Sequence, residues 1–389
     1  MERLEGGTRT VSVDYGELDL LLKLVAEHVD LDHCREVDER YRRALAYDDV
    51  DRPPLVVQAD FGAELGLPEP WNRFERYTYR ESFENPAAML QNQLLSRVVP
   101  GLVLKDDNPL AIRNDHGTIQ IGSVLGGQWM LHEDNFPWIA TVDNIEIIAD
   151  GDQLHLEKSV LPRSLETLVF YREKLKEHPP CAEAIQISMP DLQGPMDTGD
   201  LMWGSKIFFS FRDNPDVLKK LVGRIVETML DIAARFRPYT RDHLDPVANT
   251  QHGYMIPGRL LIRNDSSIML SSEMYAEFLR PHDARVLKEI GTGSIHFCGN
   301  GQHLVKPMLE IPGLRGFDLG QPNLMDVEAI YASCKECKVA VTNLNPSRDD
   351  LVSGKAGDDF PTGAVFVYPT RNMADAAEVV RRYRRCAKG

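Results

Sequence analysis

Apolar positions recur along the chain in two rhythms, a spacing of three and four that marks helices and short continuous runs that mark buried strands. Leu18, Leu20, Leu21, Leu22, Leu24, Val25 and Val29 form an early helical stripe, with a shorter one over 41–47, so residues 1 to 50 read as mostly helical. Asp51-Arg52-Pro53-Pro54 ends that pattern, because consecutive prolines cannot continue a helix. Leu55-Val56-Val57 follows as a short buried strand, and further strands are read at 184–188, 260–262, 294–297, 314–319, 339–341 and 364–367. Helical patterns cover 214–236, 272–288, 304–309, 326–334 and 374–385. In the clearest of them, Asn214 or Asp213 is the cap and Pro215 occupies the first turn, where its missing N–H costs nothing. Val217, Leu218, Leu221, Val222, Ile225, Val226, Met229, Ile232, Ala233 and Phe236 then line one face, and Pro238 stops the helix.

Strands at intervals of roughly 25–45 residues with helices between them describe βαβ units and a parallel sheet. A closed (β/α)8 barrel and a doubly wound open sheet share this rhythm. No Gly-rich turn follows the first strand, which weighs against a dinucleotide-binding open sheet. The region 106–160, richer in polar, Gly and aromatic residues, reads as an elaboration of the α/β scaffold. The expected organisation is an N-terminal helical extension over 1–50 and one barrel domain over 51–389.

With 43% apolar and 26% charged residues in a chain of 389, the sequence describes a folded soluble protein. Fifty-nine acidic against forty-four basic side chains leave a charge of −15, which repels phosphate backbones and argues against a nucleic-acid partner. The basic cluster Arg381, Arg382, Arg384, Arg385 and Lys388 reads as a helix end, where cations complement the terminal carbonyls. No stretch approaches the ~18 consecutive apolar residues of a membrane span. The N-terminus lacks the apolar core of a secretory signal, and six thinly spread cysteines suit a reducing compartment. The expected address is the cytoplasm.

In a parallel barrel, chemistry sits where strands end. The strongest candidate is Ser294-Ile295-His296-Phe297-Cys298-Gly299-Asn300-Gly301, in which His296 and Cys298 project to one face of a strand. They are either two ligands of one zinc ion or a buried structural pair. Gly299 and Gly301 let the backbone turn around a ligand, with Asn300 and His303 beside them as substrate contacts. Asp191-Leu192-Gln193-Gly194-Pro195 follows another strand, so Asp191 and Gln193 either face the rim or serve the turn. Asp265, after strand 260–262, is an acid, a substrate acceptor or part of a helix cap. Asp60 after the first strand, and Tyr368 with Arg371 after the last, complete a ring of polar candidates. Cys334 and Cys337 have a redox or knuckle spacing but no second ligand pair, and read as packing residues.

The order of these motifs resembles the uroporphyrinogen decarboxylase superfamily of (β/α)8 barrels. The likeness runs from Arg43-Ala44-Leu45 and Asp51-Arg52-Pro53-Pro54 through Gly117-Thr118, Phe136-Pro137-Trp138, Gln193-Gly194-Pro195 with Leu201 and Gly204, and Asn214-Pro215. It continues through Asp265-Ser266-Ser267, Leu270-Ser271, Phe278 and Pro281 to His296-x-Cys298-Gly299, covering about 40–385. The resemblance implies one of two chemistries. One branch decarboxylates tetrapyrrole acetates without metal, using an aspartate and arginines near the first strands. The other transfers methyl groups with a corrinoid, holding zinc by His-x-Cys and a later Cys to activate a thiol.

His296 and Cys298 match two of those zinc ligands, and Asp265 and Gln193 are the expected catalytic or orienting residues. The strand that should end in the third cysteine reads Val365-Phe366-Val367-Tyr368-Pro369, and Cys386 lies too far into the last helix. The nearest oxygen donors are Tyr368, Asp318 and Glu310. The decarboxylase branch expects arginines after the first strand, where this chain has Gln58-Ala59-Asp60-Phe61-Gly62. The leading expectation is therefore a zinc-assisted methyltransferase with a corrinoid, or a corrinoid protein, as partner and with a thiol one-carbon substrate. Decarboxylation of a tetrapyrrole and a non-catalytic corrinoid-binding barrel are the alternatives, and a homodimer is implied by the resemblance.

Overall fold

The computed structural model describes residues 13–59, 66–132, 134–241 and 247–386. Two helices come first, Tyr15–His28 and Leu31–Leu45, each started by an aspartate (Asp14 and Asp30) whose carboxylate accepts backbone N–H bonds of the first turn. Their apolar stripe buries Leu18, Leu21, Leu22 and Val25.

Eight parallel strands follow: β1 (Leu55–Gln58), β2 (Ala111–Ile112), β3 (Gln186–Ile187), β4 (Leu260–Arg263), β5 (Gly293–Phe297), β6 (Leu314–Leu319), β7 (Ala340–Leu344) and β8 (Ala364–Pro369). Six form one sheet in the order β1-β8-β7-β6-β5-β4, and β2 pairs with β3. Among the described residues the ladder does not run continuously round eight strands, as a closed barrel would have it; it is interrupted between β1 and β2 and between β3 and β4.

A few hydrogen bonds cross each seam. At the first, Asp107 N donates to Leu55 O at 2.9 Å, while Leu55 N and Val57 N donate to the carboxylates of Asp107 and Asp106 at 2.9 and 2.7 Å. At the second, Gln193 bridges to Arg263, and Gly194 N donates to Arg263 O at 2.8 Å. A Cβ at position 194 would lie 2.3 Å from that oxygen, so only glycine allows the approach.

The sheet's strands are apolar and buried on both faces, as β5 shows with all five residues buried, because helices cover the outside. The helix Pro215–Phe236 presents the expected face, with Leu221, Ile225, Ile232 and Phe236 fully buried. The pattern over 272–288 resolves into two helices, Ser272–Phe278 and Arg280–Ile290, since Pro281 suits a first turn better than a helix interior. The elaboration after β2 holds a short helix, Gln120–Val124, a small antiparallel hairpin of Trp129–Met130 with Trp138–Ile139, and the helix Ile145–Asp150. A second hairpin, Ala248–Gln251 with Tyr254–Pro257, stands just before β4 and was not expected from the sequence pattern. Among the described residues no helix is long and apolar enough to cross a membrane.

Asp107 is the tie at the first seam. Its buried carboxylate receives Arg52 through both terminal nitrogens and Arg40 Nη1 at 2.8 Å, besides Leu55 N. Removing it would leave the nearly buried Arg52 without its main counter-charge. Asp107→Ala should therefore cost about 3–5 kcal/mol in urea unfolding. A loss under about 1 kcal/mol would show that the seam does not depend on this carboxylate.

Candidate functional site

The register of the central sheet brings four polar residues into one row. Arg263 on β4 pairs with His296 on β5, His296 with Asp318 on β6, and Asp318 with Thr342 on β7. Neighbours in a parallel register point the same way, so these side chains meet on one side of the sheet.

His296 is 4% exposed, and Cys298, one residue past the strand end, lies on the same face. The chain then turns away at Gly299, whose φ of +78° suits glycine. His296 Nε2 stands 3.4 Å from Cys298 Sγ and 3.4 Å from Asp265 Oδ1. Asp265 is held in that position from two sides. Its Oδ1 accepts Cys298 N at 2.7 Å, while Asp265 N and Ser266 N donate to the buried Asp197 carboxylate at 3.0 and 2.7 Å. Burial and the neighbouring Asp265 charge push Asp197 up to about 7. On the open side, a Cβ at Gly320 would lie 2.5 Å from Cys298 Sγ and 3.1 Å from His296 Cε1, so any side chain there would press into the donors.

Behind His296 lies Asp318, with a side chain 0% exposed. Its Oδ2 receives His296 Nδ1 at 3.0 Å and His252 Nδ1 at 2.8 Å, and its Oδ1 receives Tyr254 OH at 2.7 Å. His252 and Tyr254 come from the hairpin before β4. His252 (φ +52°) and Gly253 (φ +89°) form its two-residue loop, the arrangement with both φ positive that matches strand twist. Arg263 donates to His252 Nε2, which fixes the tautomer in which His252 Nδ1–H faces Asp318. Burial and the Arg263 charge push His252 down to about 4, so it is neutral. Burial also opposes charge on His296, but Asp318 beside it outweighs that and raises it to about 10. Asp318, although burial acts to raise it, is held well below the usual carboxylate range by the two imidazoles.

On the other side of Arg263 is an arginine cluster. Arg263 Nη2 donates to Asp191 Oδ1 at 2.7 Å, and Arg113 Nη1 donates to Asp191 Oδ2 at 2.5 Å. Arg113 also stands 3.5 Å from Asp115. Despite burial, the two guanidinium groups hold Asp191 far below its ordinary pKa. The charge of Arg97 acts on Arg113 and Asp191 from the adjacent helical segment. The segment after β1 indeed offers no arginine, but three arrive from other parts of the chain, which removes the sequence argument against an acidic substrate.

Of the residues singled out from the sequence, His296, Cys298 and Asp265 converge, and Asp191 belongs to the adjoining arginine cluster. Gln193 reaches β4 through its backbone, and its Oε1 is buried with no partner in the structure. Asn300 is exposed and accepts Gln302 N at 3.3 Å; His303 is exposed and its Nε2 lies 2.8 Å from Leu270 O. Tyr368 donates to Asp375 at 2.8 Å, and Arg371 is exposed after β8. None of these four is among the residues that converge on His296. Asp60 lies outside the described residues. The three oxygen donors first considered for a metal are also engaged elsewhere. Tyr368 serves Asp375, Glu310 pairs with Arg280, and Asp318 lies on the Nδ1 side of His296. The carboxylate nearest His296 Nε2 is instead that of Asp265.

Two groups of three donors, each within 4.8 Å of one another, share His296. In the group of His252, His296 and Asp318, the carboxylate already receives His296, His252, Tyr254 and, at 3.4 Å, the Thr342 hydroxyl, and Arg263 covers the remaining nitrogen of His252. In the group of Asp265, His296 and Cys298, Nε2, Sγ and Oδ1 face one another and the carboxylate is partly open to solvent. At zinc bond lengths of about 2.0–2.3 Å, tetrahedral geometry sets ligand atoms about 3.3–3.6 Å apart. The two 3.4 Å separations fit that spacing. A zinc-bound imidazole commonly donates its other N–H to a carboxylate, which is the position of Asp318.

No protein-family model and no curated protein matches the sequence. In structure the chain is similar to a methyltransferase from Methanosarcina mazei, with a TM-score of 0.63 and 14% identity over 90% of this chain and 98% of that one. At that identity the likeness is one of fold, an α/β arrangement of the barrel-like class.

The two imidazoles on one carboxylate give a distinctive titration. In metal-free protein, His252 should stay neutral through pH 5–8 while His296 stays protonated until about pH 10, read by NMR of the imidazole nitrogens. Because the folded-state value of His296 is raised, its stabilisation is complete below the unfolded pKa of about 6.5 and fades as pH rises through about 10. Asp318→Asn should bring His296 down by several units. A wild-type His296 titrating near 6.5 would contradict this arrangement.

Proposed function

We propose that the protein is a metal-assisted methyltransferase in which Asp265, His296 and Cys298 hold one zinc ion and a thiol accepts the methyl group. The observation that carries this reading is the pair of 3.4 Å separations among an imidazole nitrogen, a sulfur and a carboxylate oxygen. Zinc, when bound, supplies Lewis acidity that lowers the pKa of an incoming thiol and keeps it as the nucleophilic thiolate.

The chain's own residues do the rest. Three protein donors leave a fourth position for substrate, the pattern of catalytic rather than structural zinc sites. Asp318 fixes the ring of His296 through Nδ1, so that Nε2 is the nitrogen that would hold the metal. Asp197 holds the Asp265 backbone, and Gly320 leaves the space beside Cys298. Arg263 sets positive charge near a centre that gathers a carboxylate and thiolates. The methyl group would come from a corrinoid, either as substrate or carried by a partner protein. The likeness of fold to a methyltransferase supports this, as does the order of motifs shared with the uroporphyrinogen decarboxylase superfamily. On that reading the strand seams are local breaks in a closed (β/α)8 barrel.

One observation favours a second reading. The arginine cluster of Arg97, Arg113 and Arg263 suits a multiply acidic substrate, as a tetrapyrrole decarboxylase needs. The two readings separate on metal. Purified wild type should carry about one equivalent of zinc, and Asp265→Ala and Cys298→Ala should lose most of it. Zinc-loaded wild type should move methyl from methylcobalamin to a simple thiol, with transfer falling at least 100-fold in Cys298→Ala. Transfer unaffected by His296→Ala would overturn the role given to this donor group, and decarboxylation of a porphyrinogen by metal-free protein would overturn the methyltransferase reading.

A further inference from the structure

Asp283 is a carboxylate buried outside the sheet, and among the described residues no cation pairs with it. It lies on the helix Arg280–Ile290 and is 1% exposed. Its Oδ2 accepts Asn264 Nδ2 at 2.7 Å and Tyr275 OH at 2.6 Å, while its Oδ1 is buried without a partner. Burial pushes Asp283 up to about 6, and its two donors act to lower it. Asn264 is equally buried, and its own Oδ1 lacks a partner too. An uncompensated carboxylate and two unsatisfied oxygens in a dry interior cost free energy that an apolar contact of similar shape would avoid. What the pair does secure is the course of the backbone at one point.

Asn264 stands between two functional side chains at the end of β4. Arg263 before it donates to His252 and Asp191, and Asp265 after it faces His296 and Cys298. Side chains alternate along a strand, so Asn264 points away from the site when both neighbours point into it. Its backbone N donates to His296 O at 2.8 Å and carries the ladder with β5 one residue further. Its Oδ1 lies 2.7 Å from where a Cβ on Gly194 would be, so the amide is held between Gly194 and Asp283. Asp197 supports the same turn from a second direction, through the amides of Asp265 and Ser266 that follow.

We propose that Asp283 is a positioning residue: acting through the Asn264 amide, it sets where Asp265 Oδ1 stands against His296 Nε2 and Cys298 Sγ. Its effect on metal geometry rests on the metal-site reading of Asp265, whereas the placement of Asp265 itself does not. Tyr275 bonds the same Asp283 oxygen from the helix Ser272–Phe278 and makes no hydrogen bond to Asn264, so its hydroxyl contributes to stability alone.

The first test is metal-free. Cys298 N–H donates to Asp265 Oδ1 at 2.7 Å, so its hydrogen exchange, read by NMR, reports the place of that carboxylate. In full-length protein stripped of metal, Asp283→Ala and Asn264→Ala should each speed exchange at Cys298 tenfold or more, relative to Phe366 N at the β1–β8 ladder. The double variant should exchange no faster than either single one, since both break the same link. Asp283→Asn, whose amide oxygen still accepts Asn264 Nδ2, should restore slow exchange. Tyr275→Phe should lower the melting temperature and leave Cys298 exchange unchanged. If Asp283→Ala fails to fold, Asn264→Ala carries the same test. Unchanged exchange in the alanine variants, or an equal effect in Tyr275→Phe, would overturn the positioning role.

The second test is metal-loaded. In cobalt-substituted wild type and Asp283→Asn, the ligand-field bands should be those of a tetrahedral site. In Asp283→Ala and Asn264→Ala these bands should weaken and shift, with cobalt held tenfold or more less tightly. Wild-type bands and affinity in both alanine variants would overturn the effect on metal geometry. If cobalt fails to bind wild type while Cys298 exchange still depends on Asp283, the metal reading falls and the positioning role stands.

Discussion

Asp318 accepts hydrogen bonds from His296, His252 and Tyr254 with no solvent to share the load, and the geometry of the site follows from that one buried carboxylate. An ionised carboxylate in so dry a place persists only if its oxygens are saturated by strong donors. Saturating them fixes the ring plane of His296 and turns Nε2 toward Cys298 and Asp265. It also fixes His252, whose far nitrogen then holds Arg263, and Arg263 in turn holds Asp191. A chain of contacts thus runs from the donor group to the arginines. The strand register that sets Arg263, His296 and Asp318 side by side is what makes the chain continuous.

Charge on this protein is distributed against its overall balance. The chain carries −15, yet the wall beside the donors is cationic, built from Arg97, Arg113 and Arg263. The global charge acts on long-range partners and is screened by salt over a Debye length of about 8–10 Å. Half-buried guanidinium groups act on whatever enters the site and are screened much less. An acidic protein can therefore still select an acidic small molecule. Close approach requires missing side chains at Gly194, Gly253 and Gly320, each placed where a Cβ would strike a neighbour of the site.

The scaffold was largely legible because helices and buried parallel strands leave strong periodic signals, and β1, β4, β5, β6 and β8 stand close to where their apolar runs put them. β2 and β3 escaped or blurred since two residues of ladder leave no period. His296 with Cys298 was legible as a local spacing, but its third neighbour was not. Asp265 follows β4 and reaches the pair only because β4 and β5 are adjacent, which is a fact of topology rather than of sequence distance. His252 and Tyr254 were missed although a signal existed: His252-Gly253 sits between two short segments with strand-forming residues, as a two-residue hairpin loop requires. Arg97 and Arg113 gave no signal, since one lies in a helical pattern and the other follows the shortest of strands. Asn300, His303 and Arg371 follow strand ends as expected and Tyr368 lies within the last residues of β8, but Asn300, His303 and Tyr368 bond to neighbours there, a distinction that only side-chain direction decides.

X-ray absorption at the zinc edge of the metal-loaded full-length protein addresses the donor group most directly. With Asp265, His296 and Cys298 as ligands, the spectrum should show a single sulfur at about 2.3 Å and nitrogen or oxygen neighbours at about 2.0–2.1 Å, with an imidazole scattering pattern. The sulfur should vanish in Cys298→Ala. A shell of light atoms alone in wild type, or a sulfur that survives this substitution, would contradict a centre built on these three residues.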